Sequence, residues 1–305
     1  MVYNTNTMFD EYVSGNLTLQ ITNHGYYEIT PRPTEIFLSK YYENSYYQNP
    51  HGTYASNYSA EELLRINLRN EMLIHAVGQP NNVGRVLDIG CGEGFLLSKL
   101  MELNYDALGL DFNDYGIGIH NSSVLPSFIK GDIYKIIDEL YEKNSEFETI
   151  YLNNVLEHVL NPENLLISIK RVLSNNGKLI ITVPNDFSDL QLLLKNKNKF
   201  SKEYWISFPD HLNYFNHKSL ESLLTFLNFS LIKSIADFPI EWFITNERTN
   251  YASHPEVGKF AHEARVFLEN YINSLPNRDS VVSFWESMAN IGLGRNVISI
   301  FIHKK

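Results

Sequence analysis

The sequence predicts an α/β fold built on a doubly wound, mostly parallel sheet, and three observations carry that prediction. Short β-branched or apolar runs alternate with helical segments after Pro80. One of these runs, Arg85 to Ile89, leads straight into a glycine-rich turn and then a helix. A late run, Asn296 to His303, returns to strand character after a long stretch without strand signals. The chain has 305 residues, enough for one α/β domain of about 200 residues with large additions or for about two domains. Apolar residues at 44% and aromatics at 13% are the composition of a folded globular chain.

In chain order, residues 1–58 are rich in Tyr, Asn, Thr and Pro with no sustained helical period, and read as an irregular N-terminal extension. Its Tyr-Tyr pairs at 26/27, 41/42 and 46/47 are unevenly spaced and read as packing aromatics. Residues 59–238 form the core. Ser59 with Glu62 resembles a capping box, and Leu63, Leu64, Leu68, Met72 and Ala76 recur at helical spacing until Gly78 and Pro80. The spacing then predicts strand Arg85 to Ile89, helix Phe95 to Glu102, and strands Ala107 to Leu110 and Ser127 to Lys130. Helix Ile133 to Leu140 and strand Glu148 to Leu152 follow. The second half predicts helix Pro162 to Leu173, a turn at Asn175-Asn176-Gly177, strand Lys178 to Val183, helix Ser219 to Leu227 and strand Phe229 to Ala236. Residues 239–295 look helical over Glu263 to Ile272 and Val281 to Met288 and read as an inserted cap, so residues 296–305 complete the sheet as its last strand.

Charge and cysteine usage exclude several function classes. With 35 Asp and Glu against 25 Lys and Arg the formal charge is -10, which repels nucleic-acid phosphates and anionic membrane surfaces. Lys195 to Lys202, the most basic run, reads as a solvated loop. Cys91 is the single cysteine, so an intramolecular disulfide and a thiolate-rich zinc site are both excluded. Apolar runs such as Leu179 to Val183 are strand-sized, and Met1 to Glu11 lacks the basic-then-apolar pattern of a secretory signal. No membrane span and a cytoplasmic location are the expectations.

The chemistry concentrates at strand ends. Val86-Leu87-Asp88-Ile89-Gly90-Cys91-Gly92-Glu93-Gly94-Phe95 is a buried strand, three alternating glycines and a helix start, the arrangement that lets a ligand lie against backbone. The dinucleotide fingerprint wants a small residue where this chain has Phe95, and Asp88 suits a ligand ammonium group better than a pyrophosphate. S-adenosylmethionine carries such an ammonium group, and an NAD-dependent oxidoreductase becomes the alternative. Asp111, in Gly109-Leu110-Asp111-Phe112, is placed to pair with ribose hydroxyls. Asp132 in Lys130-Gly131-Asp132-Ile133 can accept from an adenine amino group, or cap a helix, while Ile133 covers the ring.

From Val83 to Ser234 the chain resembles the class I S-adenosylmethionine-dependent methyltransferases. The resemblance rests on the glycine-rich turn, on Asn154-Val155-Leu156-Glu157-His158-Val159 with Asn161-Pro162, on Gly177 through Asn185, and on His211-Leu212-Asn213-Tyr214-Phe215. It implies a Rossmann-like seven-stranded sheet with the last strand antiparallel. It also implies that Asp88, Gly90, Cys91, Gly92 and Gly94 line the methionine end of S-adenosylmethionine, that Asp111 and Phe112 hold the ribose side, that Asp132 and Ile133 hold the adenine, and that Asn153 and Asn154 flank the sulfonium, with S-adenosylhomocysteine as product. The flanks, at Gly25-Tyr26-Tyr27, Pro31 to Pro33, Tyr41 to Tyr47, His262 to Arg265 and Gly292-Leu293-Gly294-Arg295, resemble methyltransferases of bacterial surface-polysaccharide and sugar-modification pathways.

Methyl transfer is an in-line displacement, and a hydroxyl acceptor gains from a base. His211, with Asp210 placed to orient it, is the first candidate, and His158 is the second. Related sugar C-methyltransferases carry histidines at both positions and an aromatic hydroxyl three residues before the second. Phe208 stands there in this chain, which turns the expectation from carbon to oxygen methylation of a carbohydrate or other small hydroxylated acceptor. The Asn-Pro-Pro or Asp-Pro-Pro signature of nucleobase methylation is missing after the fourth strand. Asn185, Asp186 and Asp189 are the only local carboxylate and amide candidates for a catechol-type metal, so no metal is expected. A non-catalytic methyltransferase-like module is the remaining alternative.

Overall fold

The computed structural model describes residues 2–3, 17–41, 57–78 and 84–303. Its N-terminal part carries β1 (Val2–Tyr3), β2 (Leu17–Ile21), β3 (Tyr27–Thr30) and α1 (Glu35–Tyr41). Helix α2 (Ala60–Val77) follows, closed by the reciprocal Ser59 and Glu62 contacts that the sequence predicts. The core then alternates β4 (Arg85–Ile89), α3 (Phe95–Glu102), β5 (Asp106–Asp111), α4 (Tyr115–His120), β6 (Phe128–Lys130), α5 (Ile133–Glu142) and β7 (Phe147–Asn153). It continues through α6 (Pro162–Val172), β8 (Leu173–Pro184), α7 (Asp189–Asn196), β9 (Asn213–Tyr214), α8 (His217–Phe226) and β10 (Phe229–Ala236). Three short 3-10 turns lead to α9 (Gly258–Asn273), α10 (Arg278–Asn290) and β11 (Asn296–His303).

The main sheet has seven strands in the order β10-β11-β8-β7-β4-β5-β6. Pairings among β8, β7, β4, β5 and β6 are parallel, while β11 is antiparallel to both of its neighbours, so the last strand alone runs backwards. Strand periodicity assigns the two faces. Leu87, Ile89, Ile150 and Leu152 pack with α5, α6 and α8, whereas Val86, Tyr151 and Ile180 pack with α2, α3 and α10. Each fully buried Leu or Ile contributes about 1.5–3 kcal/mol of apolar transfer, and this double layer fixes the strand ends that carry the site.

Two flanking regions depart from the simplest reading of the sequence. The extension read as irregular contains the β2–β3 hairpin, and β3 pairs with β9 at Tyr27↔Tyr214 and Glu28↔Asn213 to complete a second, four-stranded sheet. The insertion is helical, but α10 is a layer of the core: Trp285 is fully buried, and its indole N–H donates to Asn273 Oδ1 at 2.8 Å. Helix α9 packs along α2, with Arg65 Nη1 3.3 Å from Glu269 Oε2. Residues Tyr42, Tyr46 and Tyr47 lie outside the described residues. Among the described residues, no helix is long and apolar enough to cross a membrane.

Candidate functional site

The C-terminal ends of β4, β5, β6, β7 and β8 lie along one edge of the sheet, the place where open α/β sheets bind ligands. The turn after β4 is held by close contact. Gly90 has φ +70°, and a Cβ there would lie 2.3 Å from Val155 Cγ2, so only glycine lets this turn meet the loop after β7. Gly94, at φ +75°, caps α3 in the left-handed region and leads to Phe95.

Where the turn's amides point bears on the cofactor. The Gly90 and Cys91 N–H groups both donate to the Leu110 carbonyl, at 2.7 and 3.0 Å. The Gly92 N–H donates to Asp111 Oδ2 at 2.8 Å, and the Gly94 N–H to the Cys91 carbonyl at 2.9 Å. A phosphate-binding loop aims such amides at its ligand. Here all four have protein partners and two carboxylates line the same turn, which disfavours a pyrophosphate. Cys91 contributes backbone; its thiol packs 3.0 Å from where a Gly109 Cβ would stand, and burial pushes its pKa up.

Asp88 is buried, and its Oδ2 has no hydrogen-bond partner. Burial first, and the neighbouring Asp111 charge second, push its pKa up to about 7. A buried carboxylate oxygen without a donor is costly, and a ligand ammonium group is the partner that would relieve it. Asp111 Oδ1 accepts from the Asn113 N–H at 3.0 Å, so this carboxylate also organises the chain after β5. Phe112 beside it is 47% exposed, an aromatic face open to a ligand. Asp132 caps α5, accepting from the Tyr134 N–H at 2.9 Å, and Ile133 opens the helix half-buried beside it. The residues present thus suit a donor with an ammonium group, a ribose and an aromatic base.

At the end of β7, Asn153 Oδ1 accepts from Thr182 Oγ1 at 2.7 Å, and the Asn154 N–H donates to the Thr182 carbonyl at 2.8 Å with Asn154 at φ 53°. The loop then presents Glu157 and His158. The rings of His158 and His211 meet edge-on, centroids 5.0 Å apart at 84°, so the two histidines singled out in the sequence are brought together. His158 Nδ1 is 2.5 Å from the Asp210 carbonyl, which accepts from it and leaves Nε2 as the lone-pair nitrogen of the neutral ring. The contact joins the backbone of Asp210, expected beside His211, to the other histidine. The turn before His211 aims the Asp210 carbonyl at His158, and His211 is positioned by its own N–H to the Ser207 carbonyl at 2.6 Å. Nδ1 of His211 is buried without a partner, and burial, with the His158 and Arg295 charges adding, holds its pKa well below the usual imidazole value.

The N-terminal hairpin serves this loop. Arg32 donates to the Leu212 carbonyl at 3.0 Å and to Asn213 Oδ1 at 2.6 Å, and the Ile29 N–H donates to the Leu212 carbonyl at 3.0 Å. The Tyr26 ring packs on Phe215 at 4.6 Å. On the other side, the Tyr58 hydroxyl reaches both oxygens of Glu93 at 2.9 Å, joining the segment before α2 to the glycine turn.

Sequence reading passed over Glu157, although it lies inside the Leu156-Glu157-His158 motif. Its carbonyl accepts from the Leu212 and Asn213 N–H groups at 2.8 and 3.0 Å, stitching the two histidine loops together. Its carboxyl is buried, with His158 Nε2 3.9 Å from Oε1, and burial outweighs the nearby Asn154 side chain in pushing its pKa up to about 8. Glu157, His158 and His211 bring one ligand atom each within 4.8 Å of one another, close enough to share one divalent cation. The Glu157 pKa sets a sign for stability. The folded chain keeps a proton that the unfolded chain loses near pH 4.5, so stability falls as pH rises from there through about 8. We expect Glu157→Gln, in metal-free buffer, to lose less melting temperature between pH 6 and pH 8.5 than the parent. Parallel losses in thermal melts would contradict the buried-acid assignment.

Comparison with known proteins agrees with this geometry. The sequence profile described as "Methyltransferase domain" matches residues 40–234. The mitochondrial ubiquinone biosynthesis O-methyltransferase of Bos taurus is 31% identical over 143 residues, 44% of this chain and 39% of that protein. The ubiquinone biosynthesis O-methyltransferase of Dechloromonas aromatica is 30% identical over 103 residues, 33% of this chain and 44% of that one. The chain thus spans less than half the length of these curated relatives. A solved S-adenosylmethionine-dependent methyltransferase from Archaeoglobus fulgidus superposes over 88% of this chain and 100% of its own, at 18% identity and a TM-score of 0.49. With a profile match over more than half its length, the strand order above and an acid-lined glycine turn, the chain belongs to the class I S-adenosylmethionine-dependent methyltransferase domain family.

Proposed function

We propose that the chain methylates a hydroxyl oxygen of a small acceptor, with the His211 and His158 pair as the proton-accepting machinery. The observation that carries this reading is the half-buried, edge-on histidine pair, one member of which follows β7 in the loop that meets the glycine turn. When bound, S-adenosylmethionine supplies an electrophilic methyl group. His211 is neutral at pH 7, and its unpartnered nitrogen can take the acceptor proton. A weak base suffices, because the hydroxyl becomes strongly acidic as its oxygen gains a third bond, to the methyl carbon, and oxonium-like positive charge while the methyl–sulfur bond breaks.

Two supports favour oxygen as the methylated atom. The relatives are named for O-methylation, and Phe208 removes the aromatic hydroxyl that accompanies carbon methylation in related sugar enzymes. The flanking motifs that resemble polysaccharide and sugar-modifying methyltransferases support a carbohydrate or sugar-nucleotide acceptor and a cytoplasmic enzyme.

A second reading is favoured by the Glu157, His158 and His211 triad: a divalent cation held there would bind the acceptor oxygen and lower its pKa. The carbonyl that fixes His158 Nδ1 has the form of the support given to metal-ligating histidines. S-adenosylhomocysteine formation, assayed with hydroxylated sugars and dihydroxybenzoates in EDTA and again in magnesium, separates the two. Turnover unaffected by EDTA supports the histidine base, loss restored by magnesium supports the cation, and no turnover under either condition contradicts both.

A further inference from the structure

Beyond the histidines, the same sheet edge carries a second polar constellation. Asp186 lies two residues past the end of β8, and Arg295 directly precedes β11, its antiparallel neighbour. Arg295 Nη1 donates to Asp186 Oδ1 at 2.8 Å, while the Asn185 N–H donates to the Arg295 carbonyl at 2.8 Å and its side chain donates to the Gly292 and Gly294 carbonyls, so the backbone carrying the guanidinium is fixed. The Asp186 N–H donates to the Phe215 carbonyl at 2.7 Å, which ties the pair to the segment that carries His211 and so to the acceptor side.

Asp186 is completely buried, whereas the Arg295 side chain keeps 20% of its surface open. Among the described residues the guanidinium makes no other side-chain hydrogen bond, so most of its five donors remain for a ligand. Behind it lies Glu241, buried, accepting from Gln191 Nε2 at 3.1 Å and from the Tyr204 hydroxyl at 3.3 Å. Asp186 Oδ2, Glu241 Oε2 and Gln191 Oε1 are buried acceptors without donors. The rings of Tyr204 and Tyr251 meet edge-on at 5.7 Å and form an aromatic wall.

We infer that Arg295, backed by Asp186 and Glu241 and flanked by Tyr204, is an acceptor subsite for neighbouring neutral hydroxyl groups, as on an uncharged sugar ring. Two carboxylates against one guanidinium leave no net positive charge, so the cluster does not attract a carboxylate or phosphate. Unused donors beside unused acceptors need a ligand that both donates and accepts, which hydroxyl groups do. A phenol offers fewer such groups. This inference rests on the hydroxyl-methylation reading above and names the residues that would select the acceptor.

The test assays S-adenosylhomocysteine formation with methyl hexopyranosides, the matching uronic acids and 3,4-dihydroxybenzoate, each with and without magnesium, beside S-adenosylhomocysteine binding by calorimetry. The expected result is turnover on a neutral glycoside. Arg295→Gln then raises KM about tenfold or more with kcat and S-adenosylhomocysteine affinity little changed. Arg295→Lys, which keeps the charge and loses the fork, and Tyr204→Phe give the same split, and thermal melts check that each variant is folded. Turnover confined to the phenol or the uronates, turnover on none of the probes, or folded variants with unchanged KM overturns the subsite. Phenol turnover with intact cofactor binding overturns it alone; absent S-adenosylhomocysteine binding fails the methyltransferase reading first.

Discussion

Replacing His211 with alanine lowers turnover by about 10²–10⁴-fold, the span typical of a lost general base, while S-adenosylhomocysteine affinity stays within about threefold. The reasons are local. His211 faces His158 at 5.0 Å, its Nδ1 has no partner in the protein, and its loop is held from outside by Arg32 and the β2–β3 hairpin rather than by the imidazole. The variant therefore leaves the loop in place and removes the proton acceptor. His158→Ala tests the same pair from the other side. It also frees the Asp210 carbonyl, so a loss of stability accompanies the loss of rate. Steady-state kinetics of both variants, with calorimetry on S-adenosylhomocysteine, checks this; unchanged kcat in His211→Ala would remove the base assignment.

Asp111→Ala is the second large effect, and it acts on binding. Asp111 accepts from the Gly92 and Asn113 N–H groups at 2.8 and 3.0 Å, so the carboxylate shapes the glycine turn as well as facing the expected ribose. Hydrogen bonds to a charged group are worth about 1.5–3 kcal/mol each, so losing the two expected to the ribose hydroxyls weakens S-adenosylhomocysteine binding by about 10²–10⁴-fold, while the two lost inside the chain loosen the turn. Asp111→Asn keeps one acceptor oxygen and falls between the two. Equal affinity in parent and Asp111→Ala would move the ribose elsewhere on the edge.

What the sequence made legible follows from how local each signal is. Strands Arg85–Ile89, Phe229–Ala236 and Asn296–His303 and helix Phe95–Glu102 lie where their patterns place them, because each is a buried run bounded by a turn or breaker. Strand β8 begins at Leu173 rather than Lys178: Asn175, Asn176 and Gly177 carry turn chemistry, with Asn176 at φ 58°, yet the chain stays in the sheet. Helix α7 was hidden by Lys195 in its last turn, which opens the basic run read as loop. The β2–β3 hairpin escaped because its sheet is completed by Asn213 and Tyr214, far along the chain, and period-2 patterning of two short strands rich in polar residues is faint.

The site divides the same way. Asp88, the three glycines, Asp111, Asp132, Asn153, Asn154, His158 and His211 were legible because a strand end followed by a short motif fixes a position on the sheet edge. Arg295, Asp186, Glu241 and Glu157 owe their significance to burial and to partners from distant segments, which no spacing encodes. Asp210 adds a contact that adjacency does not show: it neighbours His211 in sequence, and its backbone carbonyl accepts from His158.

The central claim is that this acid-lined glycine turn holds S-adenosylmethionine. Calorimetric titration with S-adenosylmethionine, S-adenosylhomocysteine, NAD and NADP measures it most directly. Saturable one-site binding of the first two and of neither NAD nor NADP is the expected result; tighter binding of NAD or NADP, or no binding of S-adenosylhomocysteine, would contradict this assignment.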